Sequence, residues 1–218
     1  AGTVGHAAAT KVVTFRNSGT YLVLVSGPLD GSTGPYSINT TLLNRPCQGF
    51  QALTSSSLID GSVTGLLRNN VYTLSAKAGD TFLLRLLRPD ANTLFRPRID
   101  IYDSSGGPIQ FLNTSDLDRR NFTIPADGNY SLVVTDSYDN TQSGSYTFSL
   151  LRLNQPQNAV PLNCGAPVAG SLARSLSSGV YTYAVTAGES FTVRMLPGSG
   201  NPQPSIEVYD AKGNFTGQ

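Results

Sequence analysis

The chain has no tryptophan, one methionine, one histidine and two cysteines in 218 residues. With His6 the only histidine, no His-based triad can form elsewhere. His6 itself lies in a lead of small residues, where a solvated or tag-like side chain is expected. Two cysteines are too few for a disulfide framework of the kind that staples small secreted domains. Charge is scarce as well: 15 basic and 14 acidic side chains, 13% of the chain, with net charge +1. That balance lacks the clustered basic charge of a nucleic-acid or membrane-surface footprint, so neither partner is expected. No run approaches the ~18 apolar residues of a membrane helix, and membrane insertion is not expected. The start, Ala1-Gly-Thr-Val-Gly-His6, lacks the basic and apolar regions of a secretory leader. It reads as a mature terminus or a cut from a longer chain.

Catalytic patterns are missing too. Serines are numerous, yet no Gly-x-Ser-x-Gly elbow joins a strand to a helix. The glycine-rich stretches sit at turns, and none forms a phosphate loop. Asp116 and Asp118 lie beside Arg119 and Arg120 in a polar stretch, where local ion pairing is the simplest expectation. No enzyme is expected.

What the chain does have is turns and β-formers: 22 glycines, 13 prolines and 39% hydrophobic residues, with no long 3.6-residue periodicity. That mixture predicts an all-β protein. One phrase organises it. Phe122-Thr-Ile-Pro-Ala-Asp-Gly128-Asn-Tyr130-Ser-Leu-Val-Val134 reads as strand, tight turn, strand, with Tyr130, Leu132 and Val134 alternating onto one face. The same phrase occurs as Val13-Thr-Phe-Arg-Asn-Ser-Gly19-Thr-Tyr21-Leu-Val-Leu-Val25. Gly19 and Tyr21 precede Gly128 and Tyr130 by half the length of the chain. Further on, Ala187-Gly188-Glu-Ser-Phe-Thr-Val-Arg194 answers Ala78-Gly79-Asp-Thr-Phe-Leu-Leu-Arg85 at the same offset. Likewise Pro204-Ser-Ile-Glu-Val-Tyr209-Asp210 answers Pro97-Arg-Ile-Asp-Ile-Tyr102-Asp103. These are internal repeats.

The repeats divide the chain unevenly. Residues 1–46 read as the second half of one repeat, with strands at 10–15, 20–25 and 36–43. Residues 47–156 read as a complete repeat, and residues 157–218 as the first half of a third. Short strands separated by Gly, Pro and Asp turns suit tandem antiparallel β-sandwiches with jelly-roll-like connections, out of phase with the chain ends. A half-sandwich cannot bury its inner face, so each half needs a partner. The start can fold back onto the end of the same molecule. The end of one molecule can be completed by the start of the next, head to tail. Or the chain is one stretch of a longer array. The repeat period is half the chain length, so the chain spans two whole periods with the break in mid-domain, which favours the second or third.

The phrases Ala78-Gly-Asp-Thr-Phe82, Ile99-Asp-Ile-Tyr-Asp103 with Gly106, and Pro125 to Val134 with Gly144-Ser-Tyr146 resemble the bacterial pre-peptidase C-terminal domain. The resemblance covers nearly the whole chain after residue 9. It implies a jelly-roll sandwich on secreted or cell-surface bacterial proteins, in an extracellular setting, as a repeat of a long surface protein or an accessory module. The functional expectation is a non-enzymatic structural repeat protein forming a fibre or surface stalk, with itself as partner. The alternative is an accessory binding module for polysaccharide, protein or calcium. Asp103, Asp127 and Asp210 are expected to cap turn N–H groups. Some relatives hold calcium, which needs six to eight oxygens; here Asp136, Asp139 and Asn140 would contribute. No other cofactor is expected. Cys47 and Cys164 lie in connectors between repeats; in an oxidising setting they pair with each other, pair across two molecules, or remain free. Arg85 and Arg194 match between repeats and are expected on a solvated outer face, open to a glycan or surface ligand. The recurring tyrosines are expected in the core or at corners.

Overall fold

The computed structural model describes residues 11–25, 34–43, 50–91, 93–198 and 205–217. Its centre is a nine-stranded body: β1 (Gln51–Leu53), β2 (Ser56–Val63), β3 (Asn70–Ala76), β4 (Thr81–Leu87), β5 (Pro97–Tyr102), β6 (Pro108–Asn113), β7 (Leu117–Thr123), β8 (Gly128–Asp136) and β9 (Gly144–Arg152). One sheet runs β1-β3-β8-β5-β6 and the other β2-β9-β4-β7. None of the described residues is helical. The antiparallel ladders nest: β2 with β9, β3 with β8, β4 with β7, β5 with β6. This is the pairing of a jelly roll, a long hairpin wrapped into two sheets. The all-β class and the jelly-roll sandwich expected are thus observed for residues 51–152, with a departure at β1, which pairs with β3 in parallel.

The alternating pattern explains the core. In β4, Phe82, Leu84 and Leu86 point between the sheets; in β8, Tyr130, Leu132 and Val134 do the same. They close on Ile99, Ile101, Leu112, Phe148 and Leu150. Burying each such side chain stabilises by about 1.5–3 kcal/mol. A polar chain threads the core at one end. Asn70 Nδ2 donates to the Tyr146 hydroxyl at 2.7 Å, which shares a hydrogen bond with the Tyr72 hydroxyl at 2.7 Å. Burial is the main cause that pushes both phenols up from their ordinary range. The Tyr146 ring lies on Gly61, where a Cβ would meet it at 2.5 Å. Glycine is required there by close approach.

The phrase around Asp127-Gly128 is not a hairpin. β7 and β8 belong to different sheets, so residues 124–127 arch across the edge of the sandwich. The arch is held by the Ile124 N–H donating to Asp80 O at 2.8 Å and the Tyr130 hydroxyl donating to Ala126 O at 2.6 Å. β2 and most of β7 form where no strand was expected, in polar stretches that the ladders to β9 and β4 recruit.

The flanking segments depart further from expectation. Residues 11–25 and 34–43 form no strand, although three were expected there. After β9 the only strands among the described residues are β10 (Val160–Pro161), β11 (Tyr181–Thr182), β12 (Val208–Tyr209) and β13 (Phe215–Gly217). β10 pairs with β11 and β12 with β13. No ladder joins residues 11–43 to residues 157–217 among those described.

Gly61→Val should overpack the Tyr146 ring and destabilise the central sandwich by about 1–3 kcal/mol. Tyr72→Phe, which removes one buried hydrogen bond, should cost about 1 kcal/mol. Urea unfolding of the full chain followed by circular dichroism should give that order.

Candidate assembly surfaces

The jelly roll makes the flanking segments interpretable. Of its ladders, β2–β9, β3–β8, β4–β7, β4–β9 and β5–β8 each join a strand before residue 114 to one after residue 116. Only β1–β3 and β5–β6 lie wholly within the first half. The segment after residue 157 matches that first half in sequence, and among its described residues it holds those two pairings alone. β10–β11 aligns Val160 with Tyr181 as β1–β3 aligns Gln51 with Tyr72, one repeat period earlier. β12–β13 aligns Tyr209 with Phe215 as β5–β6 aligns Tyr102 with Pro108, at a slightly shorter offset. A strand needs a hydrogen-bonded neighbour. Those whose neighbours would come from a second half stay unformed.

Local geometry recurs as well. The Tyr21 hydroxyl donates to Asn17 O at 2.6 Å, the same corner that Tyr130 makes. Asp103 Oδ1 accepts the Ser105 and Gly107 N–H groups, both at 2.8 Å; Asp210 Oδ1 accepts those of Lys212 and Asn214 at 2.9 and 2.8 Å. Gly106 and Gly213 close these turns at φ 84° and 82°, conformations that cost a glycine little. Gly79 and Gly188 have φ 85° and 91°. Gly19 has open space around it, and Gly128 starts β8 beside Ser104. Tyr102 is half-buried on β5, its hydroxyl pushed up mainly by that burial.

Residues 11–43 and 157–198 expose side chains whose matching positions in the central sandwich are buried. Tyr36 is 70% exposed where Tyr146 is 1% exposed; Val23 is 66% exposed where Leu132 is fully buried; Phe191 is 46% exposed where Phe82 is 1% exposed. Tyr21, Val25 and Ile38 on one side, and Tyr181, Tyr183, Val193 and Met195 on the other, are exposed in the same way. Apolar faces of this extent mark interaction sites. Gly170 stands one repeat period after Gly61, and a Cβ there would meet the Tyr181 hydroxyl at 2.5 Å. The tyrosine over it is Tyr181, which matches Tyr72, whereas the ring over Gly61 is that of Tyr146.

The outer faces of the central sandwich are covered in part and exposed in part, as along β7. Arg85 is half-buried: its Nε donates to Ser149 Oγ at 3.0 Å, and its Nη2 to Leu176 O at 2.8 Å and to Ser178 Oγ. The solvated arginine face expected here is thus corrected for Arg85, because residues 174–178 pack over it. Arg194 remains exposed. Arg119 pairs with Glu207 and reaches the Tyr209 hydroxyl at 3.2 Å, while Arg174 pairs with Asp60. The local pairing expected of Arg120 and Asp118 is present at 2.9 Å. The pattern of outward residues gave no signal for Asp60, Arg174 or Glu207, which meet only through the chain's return over the sheet.

The remaining candidates sit as follows. Asp136 is buried and accepts N–H groups from Arg96 and Tyr138 at 3.1 Å and from Gln142 at 3.2 Å. The Thr141 hydroxyl is the leading cause that holds Asp139 below the usual carboxylate range. Asn140 has φ 60°, and its carbonyl accepts the Leu67 N–H at 2.9 Å. These groups fold the loop before β9. Asp127 accepts the Ala78 N–H at 2.8 Å, a turn-capping role. Among the described residues no group of three His, Cys, Asp or Glu is placed to hold a metal ion. Cys164 is exposed with a free thiol beside the Tyr183 hydroxyl. Cys47 and His6 lie outside the described residues.

No family model matches the chain, and no curated protein matches it. Solved structures similar to it include the pre-peptidase C-terminal domain of a collagenase from Bacillus anthracis, with 22% identity over 49% of this chain and 98% of that one, TM-score 0.41. Others are PliG, a periplasmic inhibitor of g-type lysozyme from Aeromonas hydrophila, with 16% identity over 47% and 95%, TM-score 0.38, and the surface-associated copper-binding protein CorA of Methylomicrobium album BG8, with 9% identity over 48% and 98%, TM-score 0.40. Each spans about half of this chain with nearly all of its own.

Hydrogen bonds to turn groups, first among them the Ser105 and Asn214 side chains, hold Asp103 and Asp210 below the usual carboxylate pKa. The charged form is thus the one the fold favours. This contribution is present above the unfolded value near 3.9 and is lost as pH falls through the lower folded values. Carboxyl titration by NMR should give both aspartates midpoints below about 3.9, with the Gly107 and Asn214 amide signals shifting in step.

Proposed function

We propose that this chain is a non-enzymatic structural protein of the cell exterior or envelope that assembles head to tail by completing half-sandwiches between molecules. Residues 157–217 of one molecule take residues 11–43 of the next, and the completed domain repeats the jelly roll of residues 51–152. The observation that carries this reading is the selective loss of pairing. Residues 157–217 keep the ladders internal to the first half and lack those that need a second half. Residues 11–43 have the sequence of that second half and, among those described, no ladder of their own. Among the described residues the two do not pair with each other, and a second copy offers each segment the half that it lacks.

In the completed domain Tyr21, Val23 and Val25 enter beside Tyr181 and Tyr183, as β8 enters beside β3. Tyr36 rests on Gly170 with its hydroxyl on that of Tyr181, as Tyr146 rests on Gly61 with its hydroxyl on that of Tyr72. Each buried side chain adds about 1.5–3 kcal/mol. The interface is heterologous, so its repetition generates an open thread.

Sedimentation and negative-stain microscopy of the purified chain should show concentration-dependent oligomers and filaments. Tyr36→Ala should weaken association by about 3 kcal/mol or more, over a hundredfold, by removing a large buried ring from the completed domain. The central sandwich should keep its unfolding midpoint. A wild-type chain that stays monomeric at high concentration, with residues 11–43 protected from hydrogen exchange, would establish fold-back within the molecule instead.

A further inference from the structure

Completion of half-sandwiches says which segments meet. It does not say how one sandwich is set against the next, and the chain contains that information twice. One joint lies between residues 11–43 and the central sandwich, the other between the central sandwich and residues 157–217. Their contacts correspond under the repeat. In the second joint, the pair Arg85 and Ser149 on the outer face of β4 and β9 meets the turn at Leu176, with Arg85 donating to Leu176 O at 2.8 Å and to Ser178. Leu176 has φ 62°. In the first joint, Asn39 donates to Leu67 O at 2.8 Å, and Leu67 has φ 54°. Leu67 stands one repeat period before Leu176, and Asn39 corresponds to Ser149 as Tyr36 corresponds to Tyr146. Asn69, at the place of Ser178, donates to Thr41 Oγ1 at 2.6 Å.

A second contact corresponds in the same way. Gly213 faces Thr81, whose hydroxyl shares a 3.3 Å hydrogen bond with that of Thr123. A Cβ at Gly106 would stand 3.8 Å from Thr14 Oγ1, and the Thr14 hydroxyl donates to Ser105 O at 3.3 Å. Thr14 stands one repeat period before Thr123, and Gly106 corresponds to Gly213 as Tyr102 corresponds to Tyr209. The two joints are copies of one asymmetric interface: the outer face of one sandwich receives the left-handed leucine turn and the β5–β6 turn of the next.

The copies differ in side-chain detail: the second joint also carries the pairs Arg119–Glu207 and Arg174–Asp60. The second joint has its arginine; the first has only Asn39. The residue at the place of Arg85 in the first joint is Arg194, one repeat period on, which belongs to the half that the preceding molecule supplies. Resting on the half-sandwich exchange proposed above, we infer that Arg194 is an intermolecular clamp residue, donating to the Leu67 carbonyl and the Asn69 side chain of the next molecule. Arg194 is exposed in the single chain, and Leu67 and Asn69 already face the segment that the clamp would bracket. The same superposition gives Leu22 and Leu24 a place. They are 91% and 83% exposed, and they occupy the positions of Ser131 and Val133, which are 4% and 6% exposed. Ser131 is covered by Leu43, to whose carbonyl it donates, so Leu22 of the next molecule meets Leu153.

The test is a double-mutant cycle in the full chain, with association measured by sedimentation across a dilution series. Arg194→Ala should weaken assembly about ten- to hundredfold, the loss expected for charge-assisted hydrogen bonds, without moving the unfolding midpoint of the central sandwich. Asn69→Ala should weaken it less, and the double variant should be no weaker than Arg194→Ala alone. If Arg194→Ala assembles as tightly as wild type, or the two effects simply add, the clamp is wrong while the exchange stands. If the wild-type chain does not assemble at all, the exchange falls and the clamp with it.

Discussion

Every large ladder of the central sandwich but β5–β6 pairs the front half of the jelly roll with its back half. β2 finds β9, β3 finds β8 and β4 finds β7, with the chain doubled on itself. A cut anywhere near the middle therefore separates partners along the whole domain. Among its described residues, the segment that matches the front half has only the pairings internal to that half, β10–β11 and β12–β13. The segment that matches the back half retains none among its described residues. On the proposed exchange, the exposed tyrosines, valines and phenylalanine of both segments follow from this constraint, because an inner face needs both halves.

The outer faces add a second layer of organisation. A sandwich whose outer strands faced water would alternate buried and exposed residues. In β8 the outward Ser131 and Val133 are buried, and in β4 so is Leu83. Ser131 donates to the Leu43 carbonyl, and residues 174–178 and 207–209 reach the other sheet through Arg85, Arg119 and Arg174. Ion pairs at such a rim are worth little singly, but they fix orientation. The joint thus uses backbone carbonyls of left-handed turns as acceptors, and these are present wherever the repeat recurs.

Much of this is legible in the sequence. The repeat period, the all-β class and the inward faces of β4 and β8 follow from alternation and from recurring Gly, Tyr and Asp. The turn-capping roles of Asp103 and Asp210 are legible because an Asp two residues before a turn N–H has a local partner. β2 and β7 are not, since polar stretches such as Leu117-Asp-Arg-Arg-Asn121 become strands only through the neighbour that pairs with them. The arch at residues 124–127 reads as a simple turn for the same reason: local residues make a bend, and the sheets decide which edge it crosses.

The sequence by itself determined the repeat, its phase and the chemistry of each face, because these rest on side-chain type and spacing along one chain. Only the tertiary structure decided that Arg85 is covered while Arg194 is exposed, although the two occupy one position in the repeat. It also decided that the Leu67 and Leu176 turns are acceptors. The reason is that hydrogen-bond partners in a jelly roll lie far apart along the chain, and a residue's surroundings depend on whether its other half is present.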